Sequence, residues 1–222
     1  MKTLQTRLDE VSAWVRDQAP AGTADKIDAA TARLAGSGID ERALQPGQQA
    51  PDFDLPDATG VLVRSAALRA TGPLVLVFYR GAWCPYCNLA LQAWQPHLAA
   101  LRDLGATLLA ISPQTPDVAL SQREKLSLAH PVLSDAGNAV ARRFGLVFEL
   151  DESLRPVYAG FGIDLAAHNG DRSFELPVPA TYVIDRDGRV AGVWFDVDYR
   201  RRPEPEDVMA CVARIARTGA AQ

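Results

Sequence analysis

Apolar residues recur at helical spacing through the first 45 positions, and then the rhythm changes. Leu4, Leu8, Val11 and Val15 fall on one helical face, which Trp14 extends. Ile27, Ala30 and Leu34 form a second stripe between Asp25 and Leu34, and Gly36-Ser37-Gly38 ends it. The pattern predicts a helical extension over residues 1–45, packed against the main domain.

From residue 46 onward, strand and helix signals alternate. Leu74 to Tyr79 is continuously apolar and β-rich, which predicts a central strand covered on both faces. A helix is expected from Cys84 to Leu101, a strand at Thr107–Ile111, and a helix opening at Thr115-Pro116 and running to about Leu128. Then come a short strand at Pro131–Leu133 and a short helix at 138–144. Ala180–Ile184 and Val190–Phe195 read as strands joined through Asp187-Gly188, a hairpin signal. The last helix is expected from Glu204 to Arg217. Residues 149–176 are rich in Gly, Asn and Asp and predict mostly loop. The sum is an α/β fold with a mixed sheet and helices on both faces, over residues 46–222.

Composition narrows the function. The 222 residues carry 23 Lys and Arg against 27 Asp and Glu, a net charge of −4. That mild acidity argues against nucleic acid, which needs a basic face. Leu74–Tyr79 is far shorter than the roughly 20 apolar residues of a membrane helix. No apolar leader follows Met1, and only three cysteines are present. A cytoplasmic, reducing location is expected, with no membrane partner and cysteine kept for chemistry or packing.

The chemistry concentrates at Cys84-Pro85-Tyr86-Cys87, where a strand ends and a helix begins. Thiols three positions apart at a helix start can close one disulfide. Cys84 falls at the expected N-cap and Pro85 at the first helical position. Free amides and the helix dipole there favour a thiolate at Cys84, and Arg80 adds a cation nearby. Cys87, Leu91, Trp94, Leu98 and Leu101 step by four, three, four and three, so Cys87 faces the core. Cys84 is therefore expected to be the reachable nucleophile and Cys87 the resolving thiol. The electrophile, peroxide or disulfide, stays open at this point.

Cys211 shares one helical face with Val208, Val212 and Ile215 and reads as a core residue. His97, His130 and His168 are scattered, and no second Cys-x-x-Cys completes a zinc set, so no metal is expected. No Gly-x-Gly-x-x-Gly is present, so no nucleotide cofactor is expected either.

Several segments together resemble the peroxiredoxin-like branch of the AhpC/TSA family, within the thioredoxin-like superfamily. They are Ala50–Gly60, Gly72–Cys87, Ala110–Asp117, Pro131–Asp135 and Leu176–Gly188. The resemblance implies a thioredoxin-like fold with the nucleophile at Cys84. It implies reduction of hydrogen peroxide or an organic hydroperoxide, and re-reduction by thioredoxin or a small thiol. It also implies a loop proline facing the dithiol, matched by Pro179, with a cis bond by analogy to thioredoxins. Trp83, Pro85 and Tyr86 look like thioredoxin and glutaredoxin active sites and are expected, with Arg80 and Pro179, to line the groove or support the thiolate. Three departures accompany the match. Gly81 stands where the family carries a Thr, Val77 where it carries a Pro, and no Arg occupies position 179. Phe78 replaces the buried carboxylate of thioredoxins, and a thiol–disulfide reductase is the rival reading. Trp14 and the extension offer a surface for a homodimer.

Overall fold

The computed structural model describes residues 2–219. Three helices come first: α1 (Leu4–Gln18), α2 (Thr23–Ala35) and α3 (Ile39–Arg42). A small hairpin is next, β1 (Asp54–Pro56) and β2 (Leu62–Arg64), then α4 (Ser65–Thr71). The central part runs β3 (Leu74–Phe78), α5 (Pro85–Ala93), α6 (Leu98–Asp103), β4 (Thr107–Ser112), α7 (Pro116–Lys125), β5 (Val132–Ser134) and α8 (Ala139–Arg143). Then come β6 (Val147–Glu149), α9 (Arg155–Gly160), α10 (Leu165–Asn169) and β7 (Glu175–Pro177). The chain closes with β8 (Ala180–Ile184), β9 (Val190–Phe195) and α11 (Pro205–Gly219).

The main sheet has the order β5-β4-β3-β8-β9. β3 pairs in parallel with β4 and antiparallel with β8, so it lies at the centre, as its unbroken apolar run requires. Alternation along β3 then divides the core into two layers. Val75 and Val77 face the layer that holds Leu8, Cys84, Cys87, Leu91 and Val208. Leu74, Leu76 and Phe78 face Phe53, Val140 and Phe144 on the other side. The mixed sheet with helices on both faces is the expected thioredoxin-like architecture.

The helical extension shares these cores and has none of its own. Leu4 and Leu8 of α1 pack in the layer of Cys87. Glu204 accepts hydrogen bonds from the amides of Leu4 (2.9 Å) and Gln5 (3.0 Å), capping α1 from the far end of the chain. Ile27 and Ala30 of α2 pack instead with Leu154, Tyr158 and Leu176.

Two expectations fail. The helix expected from Cys84 to Leu101 is broken by a 3-10 turn at Gln95–His97, so α5 and α6 are separate. Pro96 is the cause: it has no amide to donate and its ring crowds the preceding turn. The stretch 149–176, expected to be mostly loop, holds a 3-10 turn at Glu152–Leu154, α9, α10 and most of β7. These elements are too short to show a period, but their caps are local. Asp151 accepts from the Ser153 amide at 2.9 Å, and Asp164 accepts from the Ala167 amide at 3.0 Å.

Candidate active site

The loop between β3 and α5 carries the two thiols. Tyr79 continues the line of β3 and donates its amide to the Ile111 carbonyl at 3.0 Å. The chain then turns at Gly81, and the Cys84 amide donates to the Gly81 carbonyl at 3.1 Å. Cys84 is the N-cap of α5, with extended backbone, and Pro85 occupies the first helical position. The Asn88 amide closes the first helical turn on the Cys84 carbonyl at 3.1 Å. This leaves the amides of Tyr86 and Cys87 free of intrahelical partners at the positive end of the dipole.

A buried polar network holds the loop from behind. Gln114 accepts from the Ala82 amide at 2.6 Å, and Asn88 donates its side-chain amide to the Ala82 carbonyl at 2.8 Å. Gln122 donates to Asn88 at 2.7 Å and accepts from the Tyr79 hydroxyl at 2.9 Å. Both backbone groups of Ala82 are thus fixed by side chains that are themselves fixed. Gln114 and Gln122 carry no sequence signature that separates them from surface glutamines.

Both thiols are free and both are enclosed: Cys84 is 1% exposed and Cys87 0%. They share a hydrogen bond and titrate as a pair. Burial pushes the Cys84 thiol well up, reinforced by the hydrogen bond and the charge of Cys87. Burial also opposes a charge on Cys87. There it is overcome by the hydrogen bond from Cys84, the Arg202 guanidinium, the Arg80 amide and the Arg80 charge, and the pKa falls to about 5. Arg202 Nη2 lies 3.8 Å from the Cys87 sulfur. Cys87 faces the core as expected, whereas Cys84, expected to be the reachable thiol, is enclosed as well, and burial opposes the thiolate expected on it. The helix dipole favours charge at Cys84, but Arg202, from a segment distant in sequence, reaches the other sulfur.

Arg80 is 2% exposed and meets no carboxylate among the described residues. Its guanidinium carbon lies 4.9 Å from the Trp83 ring centre, 5.5 Å from that of Tyr158 and 4.0 Å from that of Tyr199. It donates to the Tyr158 hydroxyl, and its Nε has no partner. Burial opposes the charge, but Tyr158, Cys84, Tyr199 and Cys87 hold its pKa above the ordinary value. Three aromatic faces supply what a carboxylate would otherwise supply, and the thiolate of the cysteine pair is its formal counter-charge. Arg80 and Trp83 were expected here; Tyr158, Tyr199 and Arg202 were not. Tyr158 lies in the stretch expected to be loop, and Tyr199 and Arg202 lie between β9 and α11.

The remaining candidates divide. Tyr86 is buried against Tyr199, ring centres 5.3 Å apart, and faces Ser12 of α1, so it seals the site more than it lines a groove. Pro179 does face the dithiol region and lines two neighbouring cavities. Its peptide bond is trans, against the expected cis bond; no cis bond occurs among the described residues. The chain passes from β7 into β8 extended, with no tight turn to favour cis. Cys211 is buried as expected. His130 is buried beside Gln95, and burial, then Arg123, lower it to about 4. Among the described residues no three His, Cys, Asp or Glu side chains gather as a metal set.

Comparison with known proteins bears on the family and the fold. The model of the AhpC/TSA family matches residues 46–193. The chain is 32% identical over 114 residues to the putative peroxiredoxin Rv1608c of Mycobacterium tuberculosis, covering 51% of this chain and 74% of the relative. It is 27% identical over 154 residues to the putative peroxiredoxin Rv2521 of the same organism, covering 69% and 87%. The crystal structure of peroxidoxin BcpB from Mycobacterium tuberculosis superposes with a TM-score of 0.61 at 26% identity, covering 78% of this chain and 98% of that one.

Proposed function

The chain belongs to the AhpC/TSA family, and from that premise and the geometry of its dithiol we propose a thiol-dependent peroxidase that cycles through a Cys84–Cys87 disulfide. The observation that carries the reading is the hydrogen-bonded Cys84/Cys87 pair at the start of α5, beside a buried Arg80 with no carboxylate. When the pair is singly ionised, one proton serves both sulfurs. Its movement to Cys87 leaves a thiolate on Cys84, opposite Arg80 and the free amides of α5.

The Cys84 thiolate then attacks the terminal oxygen of hydrogen peroxide or an organic hydroperoxide. The O–O bond breaks, the leaving oxygen takes a proton, and Cys84 becomes a sulfenic acid. The Cys87 thiolate displaces the hydroxyl as water, and the Cys84–Cys87 bond forms. A thioredoxin-type dithiol or a small thiol returns two electrons. Re-reduction by thiols suits a reducing compartment such as the cytoplasm. No helix among the described residues is long and apolar enough to cross a membrane. The expected assembly is a homodimer with Trp14, 64% exposed, at its surface, which sedimentation tests.

Stopped-flow fluorescence tests the reading, because Trp83 lies next to Cys84. Reduced protein is mixed with hydrogen peroxide and then with an alkyl hydroperoxide. Oxidation far faster than a free thiol at the same pH is expected, absent in C84S and halted at the sulfenic acid in C87S. A rate equal to the free thiol would discard the peroxidase. The rival reductase reading, motivated by Gly81 at the family's Thr position, would then be tested with disulfide substrates.

A further inference from the structure

We propose that the cavity beside Arg201 and Arg202 admits a small thiol bearing a carboxylate, which attacks the Cys87 sulfur of the oxidised pair. The inference rests on the Cys84–Cys87 disulfide proposed above, and it names the sulfur attacked and the class of reductant.

The cavity measures about 390 Å³ and is walled by Cys87, Pro179, Trp94, Trp194, Arg201 and Arg202. That volume is at the low end of the roughly 300–1,000 Å³ of small-molecule sites. Cys84 is absent from its wall. It is absent too from the neighbouring cavity of about 420 Å³ that holds Arg80 and Tyr158. Both cysteines are almost wholly enclosed, which favours a small reductant over a folded one. Cys87 is fully covered, so a molecule in this cavity reaches its sulfur once Arg202 moves aside.

Charge selects the entrant. Arg201 is 70% exposed at the rim, and its contact with Asp196 is long, 3.9 Å. Arg202 lies deeper, against the Cys87 sulfur at 3.8 Å, and donates to the Arg201 carbonyl. Among the described residues it meets no carboxylate. Two guanidinium groups against the single carboxylate of Asp196 favour an anionic guest. A carboxylate that pairs with Arg202 draws the guanidinium off the sulfur and uncovers it.

The step balances. The incoming thiolate bonds to the Cys87 sulfur and the Cys84–Cys87 bond breaks. Its electron pair leaves on Cys84, opposite Arg80 and the first amides of α5. A second thiolate attacks the guest's sulfur in the mixed disulfide. The guest leaves as its own disulfide, and Cys87 departs as a thiolate opposite Arg202. Two protons from water restore the dithiol. Two small thiols are oxidised and one protein disulfide is reduced.

The test starts from protein oxidised with diamide, so it does not depend on peroxide reactivity. Reduction is followed with glutathione, which carries carboxylates, and with 2-mercaptoethanol, which carries none, at equal thiolate concentration. Glutathione is expected to be at least about tenfold faster. That advantage should shrink as salt screens the guanidinium groups. R201Q and R202Q should each cut the glutathione to 2-mercaptoethanol ratio several-fold. In the reverse direction, glutathione disulfide should form a mixed disulfide on Cys87 in C84S faster than on Cys84 in C87S, read by mass. Equal rates for the two thiols in the native chain, or faster adduct formation on Cys84, would overturn the proposal. Absence of peroxide-driven disulfide formation would instead overturn the peroxidase reading and leave this result standing.

Discussion

Trp83 stands where a side chain on Gly81 would project: a Cβ built at position 81 would come within 2.9 Å of Cδ1 of the indole, and closer still to Nε1. Gly81 also has a φ of 149°, a backbone that L side chains rarely adopt. The missing family Thr is thus more than a deletion of a hydroxyl. The indole has taken the space, with its ring facing the Arg80 guanidinium and tilted against Tyr158.

Restoring the threonine is therefore expected to harm the protein. Gly81→Thr should lower the unfolding free energy by about 1–3 kcal/mol through overpacking against Trp83. It should also slow peroxide oxidation. Denaturant unfolding and stopped-flow rates check both, and a faster oxidation rate would show that the hydroxyl fits after all.

Arg80→Met separates charge from packing. The methionine keeps apolar contact with Trp83, Tyr158 and Tyr199 but removes the cation. Replacing a buried charge with an apolar side chain of similar volume is often neutral for stability. The melting temperature should stay within a few degrees, while oxidation of Cys84 should slow by about tenfold for each 1.4 kcal/mol of lost thiolate stabilisation. Loss of stability with unchanged rate would make Arg80 a packing residue only.

The cysteine pair makes the reduced protein pH-sensitive. The Cys87 pKa is about 5 in the fold against an ordinary 9.0, so between those values the unfolded chain binds more protons at this site. Its contribution to stability is full above 9, declines as pH falls, and is lost through 5. Cys84 is shifted the other way, so above 9 it weakens the fold. Denaturant unfolding of reduced wild type and C87A should show a stability difference that grows from pH 5 towards 9. His130, whose pKa of about 4 destabilises both proteins in acid, cancels in that difference.

Leu8→Ala tests whether the extension belongs to the catalytic core. Leu8 is 0% exposed and packs in the layer of Cys87. The substitution should cost about 2–5 kcal/mol, as for a core leucine. A cost near zero in chemical unfolding would show that α1 is a detachable appendage.

Much of the fold was legible because its signals are local. The apolar run of β3, the Asp187-Gly188 hairpin and the stripe from Cys87 to Leu101 need only neighbouring residues to be read. So does the Cys84-Pro85-Tyr86-Cys87 helix start. The misread regions lacked a local period: α9 and α10 have six and five residues, less than two helical turns each. Pro96 was visible, but its break was hidden by an apolar stripe that continues through it.

The sequence by itself determined the dithiol, its place at a helix start and the family to which the chain belongs, because spacing along the chain sets those. Only the tertiary structure decided which charged and aromatic groups surround the two sulfurs. Arg202 lies 115 positions from Cys87 and reaches it at 3.8 Å. Tyr158 and Tyr199 close over Arg80 from two other segments. Coulomb and cation–π interactions depend on distance in space, and the fold alone sets that distance.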